Sequence, residues 1–158
     1  MLLHEASTIA TQLMSQHGLL DRGWYFEFDN AKTRFGACHY GPKKITLSRQ
    51  LVSLNPKDQV VDTILHEIAH ALTPGAHHGP VWKSKCIEIG AKPERCYTAE
   101  TTNTVAGRYK AVCGGCGKIY ERYKRLPRGR RQACRCQSHI KDWSKKKILE
   151  YKVARSNS

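Results

Sequence analysis

The sequence predicts an α+β fold in which helices pack on one face of a small three-stranded antiparallel sheet, with a small cysteine-stapled module after it. Three observations predict it. Three short stretches of strand-like alternation are joined by tight turns; a helical apolar stripe then carries His66-Glu67-Ile68-Ala69-His70; and Cys113, Cys116, Cys134 and Cys136 form two close pairs in a strongly basic C-terminal third.

Residues 3–17 place Ile9, Leu13 and Met14 at helical spacing around Ala6 and Ala10, and Gly18 closes the pattern. Trp24, Phe26 and Phe28 then alternate with Tyr25, Glu27 and Asp29, as in a strand that buries one aromatic face. Asp29-Asn30-Ala31-Lys32 turns the chain into a second strand over 33–40, where Gly36 either weakens the pairing or marks a close backbone approach. Phe35-Gly36 reads as structural. Gly41-Pro42 leads to a third strand over 44–48 with Ile45 and Leu47 on one face, and residues 49–54 make a short helical turn. Asn55 is expected to cap the next helix, with Pro56 at its first position and Pro74-Gly75 stopping it near Thr73. Its stripe is Val61, Ile64, Leu65, Ile68 and Leu72. Pro80 opens a further helix to Gly90, and residues 91–106 read as a connector.

A chain of 158 residues fits one medium core plus a metal-stapled appendage. The expected division is a core over 1–106, a ribbon over 107–139 and a basic helix or tail over 140–158, frayed from Ala154. No apolar run approaches a bilayer span, and the first eighteen residues carry Glu5, Gln12 and Gln16 where a secretory segment needs an unbroken apolar run. The expectation is an intracellular monomer, cytoplasmic or nucleoid-associated, with no membrane partner. The seven cysteines are odd in number, with Cys38, Cys86 and Cys96 scattered, which favours reduced thiols over a disulfide framework.

The net charge of +14 is unevenly placed: residues 1–106 hold 11 Lys/Arg against 10 Asp/Glu, and residues 107–158 hold 16 against 3. Four metal-bound thiolates and a Zn²⁺ would lower the second segment from +13 to about +11 and leave the asymmetry standing. The C-terminal third therefore reads as a polyanion-binding module, with nucleic acid the leading partner.

His66 and His70 lie one helical turn apart on one face, so both imidazoles reach one metal, and Glu67 beside the first is placed to take a proton from an attacking water. A catalytic zinc normally takes three protein ligands. The third is expected at His78, held between the Pro74-Gly75 reversal and the helix opened by Pro80, with His77 as the competitor. Thr73 and Ala76 occupy the positions where the glycine-and-histidine extension of the motif would fall, and Glu88 and Glu94 are poorer third ligands than His78. Such a site points to zinc-assisted peptide hydrolysis with Glu67 as general base. Asp62 is a candidate to orient His66, or simply a solvated acid near the helix start, and Tyr97 is a candidate to steady the developing oxyanion.

Cys113-Gly114-Gly115-Cys116 is a knuckle whose glycines let amides approach thiolates, and 17 residues separate it from Cys134-Arg135-Cys136. The set fits a structural zinc, although the second pair has one intervening residue instead of two, and His139 could replace one of its cysteines. A strand is expected over 119–126, with Pro127-Arg128-Gly129 turning back. Arg122, Lys124, Arg125, Arg128, Arg130 and Arg131 surround Tyr120 and Tyr123; Tyr123 is expected to stack on bases beside phosphate-binding cations, while one tyrosine fills the ribbon core. This suits DNA with single-stranded character. Lys145, Lys146 and Lys147 lie among Trp143, Ile148, Leu149 and Tyr151 in a short helix or extended tail.

Taken together, the aromatic strand at Trp24, Ala31 through Cys38 leading into Ile45-Thr46-Leu47-Ser48, the His66 motif, His78-Gly79-Pro80 with Trp82, and the cysteine pairs resemble the SprT-like family of zinc metallopeptidases. The resemblance covers residues 1–138. It implies a minimal zincin-like metallopeptidase core with zinc on His66, His70 and His78, Glu67 as catalytic base, and a C-terminal zinc ribbon that helps engage DNA. Eukaryotic relatives degrade proteins crosslinked to DNA, so repair of DNA-protein crosslinks is the implied process. The short loop between His70 and His78 and the small size resemble bacterial or phage members more closely, which would put a phage protein in its host's cytoplasm. The family's usual ribbon spacing differs from Cys134-Arg135-Cys136. Two other readings stay open: a non-catalytic zinc-containing DNA-binding or transcription-associated module, and a general peptidase whose DNA binding is incidental.

Overall fold

The computed structural model describes residues 1–94 and 103–154. The chain forms two compact units, Met1–Val105 and Ala106–Ser158.

In the first unit, α1 (Leu3–Gln16) buries Ala6, Ala10 and Met14, a stripe at four-residue spacing. Its start is satisfied by Glu5, whose carboxylate accepts the Leu2 N–H at 3.1 Å. The strands β1 (Tyr25–Asp29), β2 (Gly36–His39) and β3 (Lys44–Ser48) follow. They lie in the order β1-β3-β2. The sheet is mixed, not antiparallel throughout: β2 runs antiparallel to β3, but β1 runs parallel to it, pairing Phe26 with Ile45 and Phe28 with Leu47. The physical reason lies in residues 30–35, which cross over β3 instead of forming a hairpin. Asp29 accepts the Ala31 N–H at 2.9 Å and pairs with Arg34, Ser48 Oγ donates to the Ala31 carbonyl, and the Ser48 N–H donates to the Phe35 carbonyl at 2.8 Å. With Phe35 buried, the crossover is pinned at both ends.

A short helix, α2 (Arg49–Leu54), begins at Ser48, whose hydroxyl accepts the Leu51 N–H at 3.2 Å. The long helix α3 (Lys57–Leu72) starts after Pro56, which takes the cap position expected for Asn55. Asn55 is buried and does other work: its Nδ2 donates to the carbonyls of Leu51 (2.8 Å) and Asn103 (2.9 Å), and its Oδ1 accepts the Asn103 N–H at 2.8 Å. One flank of α3 meets the sheet and α1 through Val60, Ile64 and Ile68, all fully buried with Leu47, Ile45 and Met14. Each such isoleucine contributes roughly 1.5–3 kcal/mol. The other flank, Leu65 and Ala69, packs on Trp82 and Cys86 of α4 (Pro80–Ile89). Pro80 stands at the start of α4, and Gly90, with φ of 82°, ends it.

The second unit is a three-stranded antiparallel sheet ordered β5-β4-β6, from β4 (Tyr109–Val112), β5 (Ile119–Arg122) and β6 (Lys152–Val153). β5 stops at Arg122, short of the expected Leu126. The segment expected as a short helix or extended tail is largely extended, and it is packed into the ribbon instead of trailing from it. After a 3₁₀ turn at Trp143–Lys145, Ile148 bridges to Ala133, Leu149 is buried, and β6 pairs with Tyr109 and Lys110. The core of this unit is Ala111, Cys113, Cys134 and Leu149, with Tyr120 and Tyr151 against it. So little apolar surface does not hold a module of this size by itself. Residues 155–158, expected to fray, lie outside the described residues. No described helix is long and apolar enough to cross a membrane.

Candidate metal centres

Because α3 packs on two flanks, the strip between them is left to carry His66 and His70, both half-buried. After Leu72 the chain makes two tight turns, with hydrogen bonds from Ala76 N–H to the Thr73 carbonyl (3.1 Å) and from Gly79 N–H to the Ala76 carbonyl (3.0 Å). His77 takes a left-handed φ of 48° and is exposed; His78, half-buried, joins the other two histidines. His70 Nε2 stands 3.2 Å from His78 Nε2, which stands 3.4 Å from His66 Nε2. Nitrogens bound tetrahedrally at about 2.0–2.1 Å from zinc would be about 3.3–3.4 Å apart, so the three imidazoles fit that ion.

Trp82 carries this group. Its indole stacks on His70 (centroids 5.1 Å apart, planes at 24°) and meets His66 and His78 edge-on at 4.7 and 4.6 Å. The tryptophan was visible in the sequence only as a neighbour of the His78 turn, because its contacts with α3 are tertiary. Tyr40 was not singled out. Its hydroxyl donates to the His70 carbonyl at 3.0 Å, and its only sequence signal is the alternation Gly36, Cys38, Tyr40. Asp62 spends one oxygen on the Lys92 N–H at 2.8 Å, while its charge also favours the protonated form of His66. Tyr97 lies outside the described residues.

Burial and the mutual repulsion of the imidazoles lower the pKa of His66 and of His70 to about 4. Both are therefore neutral at physiological pH, the form in which an imidazole can take a metal. Unfolded histidine titrates near 6.5, so between about 6.5 and 4 the unfolded chain binds the protons first and the metal-free fold loses stability as pH falls. Thermal melts of the chelated protein are expected to show Tm falling across that window, the loss from two histidines exceeding the opposite contribution of the one raised carboxyl, Glu67; a flat profile would refute the assignment.

Glu67 is 7% exposed, and burial raises its carboxyl to about 8 against the opposing effects of the Arg34 charge and the Cys38 N–H. A bound dication would pull it back toward the carboxylate. It is not one of the three grouped ligands. It thus stands beside the histidine group as a buried carboxyl outside the ligand set.

In the second unit the four cysteines converge without His139, which is exposed. Cys113 and Cys136 sulfurs are 3.6 Å apart, as are those of Cys116 and Cys134. Tetrahedral Zn–S bonds of about 2.3 Å require about 3.8 Å, so this group also fits zinc. The one-residue spacing of the second pair works because Cys134 is extended and a 3₁₀ turn, Arg135–Gln137, begins immediately after it. Gly115 N–H donates to Cys113 Sγ at 3.3 Å, the amide approach expected of the knuckle. Tyr120 donates its hydroxyl to Cys134 Sγ at 2.9 Å and brings that thiol down to about 6, whereas hydrogen bonding with Cys134 and burial push Cys136 up to about 12. Together the four thiols call for a cation.

Of the expected nucleic-acid residues, Lys124, Arg125, Arg128, Arg130 and Arg131 are exposed. Tyr123 is half-buried. Arg122 is held inside the module: its Nη1 donates to Gln132 Oε1 at 3.2 Å and its guanidinium lies 5.7 Å from the Tyr151 ring centre. Trp143, 48% exposed with Lys146 Nζ 4.6 Å from its ring centre, adds an aromatic surface to which the sequence reading gives no binding role.

The profile of the SprT-like family matches residues 3–106, the span that holds the sheet, α3 and the three histidines. This chain belongs to the SprT-like family. The SprT-like match ends where the cysteine module begins. Among solved structures, the metallopeptidase zymogen of Methanocaldococcus jannaschii jannalysin is similar at 14% identity, covering 61% of this chain and 85% of that one with a TM-score of 0.47. No curated protein matches the sequence.

Proposed function

We propose that this SprT-like protein is a zinc-dependent endopeptidase for proteins bound or crosslinked to DNA. The observation that carries the peptidase reading is the convergence of three imidazoles, their neighbouring Nε2 atoms 3.2 and 3.4 Å apart, next to a buried carboxyl that is not one of their number. A structural zinc would usually fill its fourth position with protein and would have no need of Glu67. When bound, zinc supplies acidification of a water and polarisation of a carbonyl. Glu67 accepts the water proton and returns it to the departing amine, and the low exposure of its side chain keeps competing solvent from that carboxyl.

What favours DNA as the recruiting partner is the charge of residues 107–158, with 16 Lys/Arg against 3 Asp/Glu, and the exposure of five cations near the half-buried Tyr123. Single-stranded character suits exposed aromatic surface such as Trp143. The test is cleavage of a DNA-crosslinked protein by the zinc-loaded chain, with and without single-stranded DNA and with a chelator. Cleavage should require zinc and rise when DNA is present. Cleavage indifferent to DNA would leave a general peptidase, and tight DNA binding without cleavage would leave the non-catalytic module.

A further inference from the structure

Gly36 is the first residue of β2, paired with Leu47 at the end of the ladder, and its φ is not in the left-handed region, so its backbone conformation does not require glycine. Glycine within a strand weakens it. The space explains the residue. A Cβ at position 36 would stand 2.8 Å from Glu67 Oε1, 2.9 Å from Glu67 Cγ and 3.0 Å from Leu47 Cδ2. Two residues along the same face, the Cys38 N–H lies against the same carboxylate. Two more along, Tyr40 holds the His70 carbonyl.

We infer that Gly36 is a positioning residue: the bare strand surface at Gly36, with the Cys38 amide, is a seat that fixes the Glu67 carboxylate independently of the three histidines. The inference rests on reading Glu67 as the general base. A glutamate has three side-chain torsions, and α3 fixes only where its Cα lies. Pressing the side chain flat against β2 removes the remaining freedom, which is the requirement for a base that must meet one proton in one place. The three histidines are set by α3, the turn before α4, Trp82 and the Tyr40 bond to the His70 carbonyl, so the Gly36 and Cys38 contacts bear on the Glu67 side chain alone.

The experiment is a double-mutant cycle in the full zinc-loaded chain with Gly36→Ala, Glu67→Ala and the pair, read by thermal melting and zinc content, with hydrolysis as a further readout. Gly36→Ala should lower Tm by about 5 °C in the wild-type background and much less beside Glu67→Ala, where the tip of Leu47 is the one crowding atom left of the three. Zinc content should stay unchanged, and Gly36→Ala should cut kcat at least about tenfold with KM nearly constant. If Gly36→Ala alone fails to fold, folding of the pair supports the seat and failure of the pair overturns it. Equal cost in both backgrounds, or none in either, overturns it as well, since the clash would then not be with Glu67. A wild type that hydrolyses nothing would remove the peptidase reading while the coupling still decided the seat.

Discussion

Glu67→Gln is expected to lower hydrolysis by about 10²–10⁴-fold while zinc content and fold remain those of the wild type. The size follows from the chemistry: glutamine has the shape of glutamate and can occupy the same buried space, yet it accepts no proton at neutral pH. The carboxyl of Glu67 is poised for the task, because burial raises it to about 8 before any metal charge acts and a dication draws it back toward ionisation. Single-turnover cleavage with metal analysis on the same sample is the measurement. Wild-type rates in the variant would sink the role, and loss of zinc would show that Glu67 supports the ligands instead of the proton.

Cys134→Ser is the second large effect. Among the described residues, the core cluster of the second unit is four residues, two of them cysteines, and Gln137, Tyr120 and Gly115 all direct hydrogen bonds at the sulfurs. Structural zinc in small modules supplies about 10–16 kcal/mol of apparent binding energy, more than so small a core holds in reserve. The variant should carry one zinc fewer, show unfolded amide chemical shifts for the second unit only, and lose the salt-dependent part of DNA affinity. Retained zinc and retained shifts would mean that three thiols suffice.

The parts legible in the sequence were those whose signals are local. His66, Glu67 and His70 follow from spacing on one helix, and the strands from alternation around Trp24, Phe28, Ile45 and Leu47. The direction of β1 was not legible, because a crossover and a hairpin both begin with a polar turn and only the pinning of Asp29 and Ser48 across the sheet separates them. Asn55 carried a cap signature, yet its amide is used for a contact 48 residues away. The alternatives of weakened strand and close approach at Gly36 separate only once Glu67 is seen against it. β6 has two exposed residues and no apolar alternation, so nothing in its sequence announced a strand.

The two ligand sets close loops of different kinds. His66, His70 and His78 span thirteen residues, most of them already ordered by α3 and the turns that follow it, so capture of an ion there adds little constraint to an unfolded chain and spends little conformational entropy. Cys113 through Cys136 enclose twenty-four residues of a module with scarcely any apolar interior, and there the same ion performs the work of a core. Zinc on both sets would serve as a reagent in the first unit and as a keystone in the second. Falling zinc activity should therefore disarm the first site with its fold intact, but dissolve the architecture of the second.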